Sequence, residues 1–274
     1  SANYFEKHKK RWAGNIYRED YIRKTIDIAV TDYYAFEKTI IELINPEDQV
    51  KRISPSLLYA IYHSKLPSLN LWIVLYYPFW VIRLTVILVR SIILSLISKN
   101  KIKAPPIIYI RKKVYPDMGE FSHLSQALNN NDSKKIVGIY PFSGRIEQKY
   151  GFYFISSMKG MFLKFLYSFM NSLRHSFSDL NFYLKNGVDH NIFRTYFFDT
   201  FTAKSILSLS PSIICGQLLD KPIYILLSKY KRKSTKVVSI NESFRFPPNR
   251  SFDFNHLDRY YSMNKIDEDM QNIY

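Results

Sequence analysis

The chain has 274 residues, of which 39 are Lys or Arg and 23 Asp or Glu, giving a net charge of +16 at pH 7, and 47% are hydrophobic. That is material for one large or two small domains with a sizeable core, and the charge suits an anionic partner, either lipid or nucleic acid. The single Cys215 excludes an internal disulfide framework and points to a reducing compartment, and six scattered histidines with no His-x-x-x-His or Cys-x-x-Cys spacing argue against a zinc cluster, so no metal or resident cofactor is expected.

The opening SANYFEKHKKRW is polar and basic and lacks the apolar core of a signal peptide, so cytoplasmic residence is expected. From Tyr17 to about Ile44 apolar residues recur at helical spacing: Ile22, Ile26, Ala29 and Val30, then Phe36, Ile40, Ile41 and Ile44. Asn45-Pro46-Glu47-Asp48 closes that unit, and Ser54-Pro55 opens a short helix through Leu57, Leu58 and Ile61.

Next comes the most apolar stretch, LWIVLYYPFWVIRLTVILVRSIILSLI, residues 71–97, whose only charges are Arg83 and Arg90. Seven residues apart, they share one face of a helix. Each central Arg costs roughly 2.5 to 3.5 kcal/mol on insertion scales, while aliphatic and Phe residues return about 0.3 to 0.6 kcal/mol each, so crossing a bilayer is close to balanced. Pro78 removes a backbone hydrogen bond and predicts two shorter helices rather than one rod. Trp72, Tyr76, Tyr77 and Trp80 crowd the first half as interfacial aromatics do. The segment is expected to lie in or dip into an anionic membrane surface, with Trp72, Trp80, Arg83 and Arg90 as its contacts. A buried helical hairpin or a subunit contact fits the same pattern.

Beyond Ala104-Pro105-Pro106, short β-branched runs alternate with helical stretches. Strands are expected at 107–110, 136–140, 212–216 and 236–240, and helices at 120–128, 152–182 (stopped by Asn186-Gly187), 191–209 and 221–229 (opened by Pro222). Continuous apolar strands joined by helices predict an α/β fold with a Rossmann-like, doubly wound parallel sheet over residues 104–274, preceded by a helical, membrane-seeking region over 1–103.

Ligands of such sheets sit beyond the carboxyl ends of the strands. The rule selects Gly119-Glu120, Ser143-Gly144-Arg145, Asp220 and Glu242. A carboxylate there accepts a proton from a substrate hydroxyl, and exposed amides at a helix start hold an anion. The plainer alternatives are a first-turn acid for Glu120, a turn with a solvated charge for Ser143 to Arg145, and a helix cap for Asp220. No P-loop, Gly-x-Gly-x-x-Gly or Gly-x-Ser-x-Gly occurs, which removes support for nucleoside-triphosphatase, typical dehydrogenase and α/β-hydrolase readings.

The order SIICGQLLDKPIYILLSKYKRKSTKVVSINESF, followed by Asp258-Arg259-Tyr260-Tyr261-Ser262-Met263-Asn264, resembles the last part of the N-terminal domain of GT-B type bacterial glycosyltransferases of lipopolysaccharide and capsule synthesis. Gly119-Glu120 after a strand is similar to the Gly-Glu of Kdo-transferase-like enzymes. The resemblance spans roughly 105–270 and implies Glu120 as general base. Gly119, Ser143, Gly144, Arg145, Asp220 and Glu242 would then bind substrate. It implies a nucleotide-sugar co-substrate, a saccharide or lipid-linked acceptor, a donor site in a second chain or domain, and a place at the inner face of the membrane. Where many relatives have Gln-His-Gly after the fourth strand, this chain has Asn241-Glu242-Ser243. A second class of function stays open at this point, a non-enzymatic basic subunit of a membrane complex or organellar ribosome. Lys229-Tyr230-Lys231-Arg232-Lys233 interleaves charge and aromatics as RNA-contacting surfaces do.

Overall fold

A computed structural model describes residues 15–26, 28, 71–98, 107–110, 135–137, 152–153, 158–185, 188, 190–216, 222–240 and 254–261. Helix α1 covers residues 16–26, α2 Leu71–Ile97, α3 Phe162–Lys185, α4 His190–Leu207 and α5 Ile223–Tyr230. The strands are β1 Ile107–Ile110, β2 Lys135–Val137, β3 Phe152–Tyr153, β4 Ile213–Gly216, β5 Lys236–Ile240 and β6 Arg259–Tyr261, with a 3-10 turn at Phe254–His256. The molecule is mixed α/β, mostly helical, with one small sheet in which every neighbouring pair is parallel, in the order β3-β2-β1-β4-β5-β6.

The strands form where β-branched residues cluster, at Ile107-Ile108, Ile213-Ile214 and Val237-Val238, since stiff branched side chains favour extended backbone. Ile108 aligns with Ile214, and Ile214 with Val237. All three are fully buried, forming an apolar row across the sheet centre. Thr235 Oγ1 donates to the Pro211 carbonyl at 2.8 Å, and Asp258 accepts the Val237 amide at 2.6 Å while pairing with Lys231. These contacts fix the start of β5.

The expected helix over 152–182 is corrected at its start, because Phe152-Tyr153 pairs with Lys135-Ile136 as a strand and α3 begins only at Phe162. Gly160, at φ +80, turns the chain between them. Along α3 the buried positions are Phe165, Ser168, Phe169, Ser172, Ser176, Asp179 and Tyr183, a stripe at helical spacing. Its far end is closed by the Val188 amide on the Tyr183 carbonyl at 3.3 Å, the long-range bond of a helix stop.

The second correction concerns α2, which runs unbroken from Leu71 to Ile97 through Pro78. An interior proline costs about 3 kcal/mol. Packing on both sides of it holds the helix together. Tyr77 lies on Phe193 and Phe197 with its hydroxyl 2.9 Å from Ser176 Oγ, and Trp80 lies on Phe193, while Pro78 itself faces outward.

Helices α2, α3 and α4 pack on one another, and α5 joins α4 to strand β5. Serines line the α2–α3 seam and let the backbones approach closely. Ser91 and Ser172 return their hydroxyls to carbonyls one turn back, and Ser95 Oγ donates to the Met158 carbonyl at 2.8 Å and accepts the Met161 amide at 2.9 Å. One buried core includes Tyr21, Ile22 and Ile26 of α1, Leu84 of α2, Ile108, Phe201, Ile214 and Val237. Residues from either side of position 104 therefore share it.

Leu84→Ala should lower unfolding stability by about 2 to 5 kcal/mol, since Leu84 is fully buried. Val86→Ala, two residues away on the outward face, should change it by less than about 0.5 kcal/mol. Denaturant unfolding in mild detergent reads both, and equal losses would mean that α2 is covered on both faces.

Candidate functional site

Four neighbouring parallel strands, β2, β1, β4 and β5, end on one edge of the sheet. The order turns outward in opposite directions from the central pair, with β2 and β3 beyond β1, and β5 and β6 beyond β4. In open parallel sheets, ligands bind beyond the carboxyl ends of the strands at such a reversal. The two ends meet at Ile110 and Gly216, which are in register. Gly216 has φ +145, and a Cβ there would lie 2.3 Å from the Ile110 carbonyl oxygen. Only glycine lets the β4 backbone close against β1 at this position.

The chain segments bearing the sequence candidates leave from this edge: residues 111 onward from β1, 138 onward from β2, 217 onward from β4 and 241 onward from β5. Asp220 follows Gly216 by four residues and Glu242 follows Ile240 by two. Gly119, Glu120, Ser143, Gly144, Arg145, Asp220 and Glu242 all lie outside the described residues.

The membrane-contact candidates are described, and they divide. Trp72 is 57% exposed, and Arg83 and Arg90 face outward. Trp80 is 7% exposed, packed on Phe193 in a ring ladder with Tyr76 and Trp72, so it is a core residue and not a surface contact. Arg83 holds its guanidinium 5.6 Å from the Phe198 ring. Arg90 lies in an open groove of about 390 Å³ with Thr85, Val86, Val89, Ile93 and Leu94. Among the described helices α2 alone is long and apolar enough to cross a membrane, and 28% of its most apolar window is buried.

A polar cluster among α1, α3, α4 and the 254–256 turn was not anticipated. Arg18 donates to Asp179 Oδ1 at 2.6 Å, and the Tyr196 hydroxyl donates to Asp179 Oδ2 at 2.5 Å. Tyr21 donates to Asp199 at 2.8 Å. Asp20 takes His256 Nε2 on one oxygen at 2.6 Å and Arg23 on the other at 3.1 Å. Burial, then neighbouring carboxylates or tyrosines, pushes Tyr21, Tyr183 and Tyr196 well above the ordinary phenol value, so all three stay protonated. In the sequence the signal was an acid at an inward position: Asp179 stands three residues after Ser176 and four before Tyr183, both on the buried stripe. The carboxylates are already engaged by donors of the chain, and their role is to tie α1 to α3, α4 and the 254–256 turn.

At the other end of α4, Lys204 Nζ sits 3.4 Å from the Tyr230 ring centroid, with Lys229 Nζ at 5.1 Å and the His175 ring at 5.4 Å. Burial, with Lys229 nearby, brings Lys204 down to about 8. Burial alone pushes the Cys215 thiol up to about 12, which makes it a packing residue of β4 rather than a nucleophile. No group of three or more His, Cys, Asp or Glu is poised for a metal among the described residues. No protein-family model, curated protein or solved structure matches the chain.

Two measurements follow from these groups. Between about pH 8 and 10 the unfolded chain still holds the Lys204 proton while the folded chain has released it, so the wild type should gain stability relative to Lys204→Met as pH rises through that window. Urea midpoints across pH 7 to 10 check the sign, and a difference flat with pH would refute the desolvated lysine. Cys215 should resist an aromatic disulfide reagent at pH 8 in the folded chain and react at once in denaturant.

Proposed function

We propose that the chain is a membrane-associated glycosyltransferase, or its acceptor-binding domain, working at the inner face of the membrane. A nucleotide-sugar would be its co-substrate and a lipid-linked or surface-polysaccharide saccharide its acceptor. The observation that carries this reading is the reversal of strand order between β1 and β4, which end side by side at Ile110 and Gly216 on the edge that the Glu120, Arg145, Asp220 and Glu242 segments follow in the chain. The all-parallel order β3-β2-β1-β4-β5-β6 supports a Rossmann-like domain, and ligands of that architecture bind at this switch point. The outward apolar face of α2 supports a membrane-near acceptor.

In the proposed reaction an acceptor hydroxyl attacks the anomeric carbon of the donor sugar. A new C–O bond forms, the bond to the nucleotide phosphate breaks, and the hydroxyl proton passes to the Glu120 carboxylate. Arg145 and the amides of Ser143 and Gly144 hold the anionic group of donor or acceptor, and Asp220 and Glu242 orient sugar hydroxyls. The nucleotide departs as a phosphate anion. A second chain or domain completes the donor site.

The test is turnover of a panel of nucleotide-sugars by the purified chain with vesicles and native lipid extract as acceptor. Glu120→Gln should reduce transfer by roughly 100-fold or more, the usual contribution of a general base, while leaving the far-ultraviolet spectrum unchanged. Undiminished turnover in that variant removes Glu120 from the mechanism. Silence toward every donor by a folded chain, together with salt-sensitive RNA binding, favours the non-enzymatic basic subunit.

A further inference from the structure

Helix α2 carries two apolar stripes on opposite sides. The inner one, Ile73, Tyr77, Trp80, Leu84, Leu88, Ser91 and Ser95, is covered by α3 and α4. At 100° per residue the outer one, Trp72, Leu75, Phe79, Ile82, Val86, Val89, Ile93 and Leu96, lies about 170° away and is exposed along the full helix. A helix that is apolar all round belongs in a core or in a membrane.

Helix α3, packed beside α2, is also apolar on its exposed side over its N-terminal half. It runs antiparallel to α2, since Ser95 of α2 meets Met158 and Met161 at the start of α3 while Tyr77 meets Ser176 further along. Beside the exposed C-terminal half of α2, α3 exposes Leu163, Leu166, Tyr167 and Met170. Beyond that point its outward residues turn polar, with Arg174, Ser178, Asn181 and Lys185 interrupted by Phe177. Every exposed charge on the two helices is basic: Arg83, Arg90, Lys164, Arg174 and Lys185, with Lys159 just ahead of α3. Their one acid, Asp179, is buried and bonded to Arg18 and Tyr196.

We propose that the outer stripe of α2 and the N-terminal half of α3 form one surface that lies in a single leaflet of an anionic lipid bilayer. Arg83 and Arg90, at the edge of the outer stripe, reach the phosphates, and the polar half of α3 rises from the headgroups into water. The two helices together, rather than a single spanning segment, hold the protein on the membrane. The apolar run gives depth, and the uniformly basic rim selects anionic headgroups over neutral ones. The proposal supplies the lipid partner of the function proposed above, and rests on that reading only for the nature of the acceptor.

The experiment is flotation of the intact chain with vesicles of phosphatidylcholine alone or mixed with phosphatidylglycerol, alongside sedimentation analysis of its oligomeric state. Binding should rise at least about tenfold with phosphatidylglycerol and weaken with salt. Leu166→Glu/Met170→Glu on α3 should weaken it at least about tenfold, as should Ile82→Glu/Val89→Glu on α2, whereas Ser178→Glu/Asn181→Glu beyond the waterline should leave it within about twofold. Indifference of the α3 pair overturns the shared surface. Insertion that resists an alkaline carbonate wash overturns the single-leaflet placement. A dimer that the α3 pair converts to monomer, with no vesicle binding, gives the face to a second copy of the chain. Vesicle binding without sugar-nucleotide turnover fails the enzymatic reading alone, and turnover on a soluble acceptor without vesicle binding fails this one alone.

Discussion

The seam between α2 and α3 organises the helical part of the molecule. A 27-residue helix with a proline inside it and apolar side chains on every face has no unique way to pack in water. Contacts to α3, to the turn before it and to α4 make the choice: serines facing α3, Ser95 gripping both Met158 and Met161, and Tyr77 on Phe193 and Phe197. The hydroxyls of Ser91, Ser95, Ser172 and Ser176 are satisfied within their own helix or across the seam, while Ser168 Oγ is buried with no partner among the described residues. With that seam closed, the inner stripe joins the core of α4 and α5, and the outer stripe is left as surface.

A second constraint couples distant parts of the chain. Arg18 reaches Asp179, Tyr21 reaches Asp199, and Asp20 reaches His256, so one face of α1 is bonded to α3, α4 and the 254–256 turn. Charges in such places are costly to desolvate; both oxygens of Asp179 and of Asp20 are met by donors and Asp199 accepts from Tyr21, which is the condition under which burial is tolerated. Removing one partner would leave the other buried and unpaired. The network therefore contributes more to specifying where α1 docks than to net stability.

Strands β1, β4 and β5 were legible because Ile-Ile and Val-Val runs bounded by Pro, Gly or Lys leave few alternatives to buried extended chain. α4 and α5 were legible from apolar spacing and Pro222. The start of α3 was not, because Phe152-Tyr153 suits helix or strand equally and only pairing with β2 decides it. Trp80 was misplaced for a related reason. With both stripes of α2 apolar, nothing in the sequence says which is inward; the partner helix does. Asp179 and Asp199 read locally as interruptions of apolar helices, and their meaning lies in residues more than a hundred positions away. The site candidates followed from a rule about strand ends, and the edge that the rule requires is present at Ile110 and Gly216.

The helical layer and the sheet edge are related through α4 and α5. Helix α5 starts after β4 ends and finishes before β5 begins, so its Tyr230 end points away from the edge where β1 and β4 end. Lys204, near the end of α4, sits on the Tyr230 ring, which places that end of α4 on the same far side. The opposite end of α4, about 20 Å away at 1.5 Å per residue, therefore points back toward the edge where β1 and β4 end. There His190 stacks on Tyr76 at 5.5 Å, in the ladder that ends at exposed Trp72. The N-terminal half of α2 is thus carried toward the side of the molecule where β1 and β4 end.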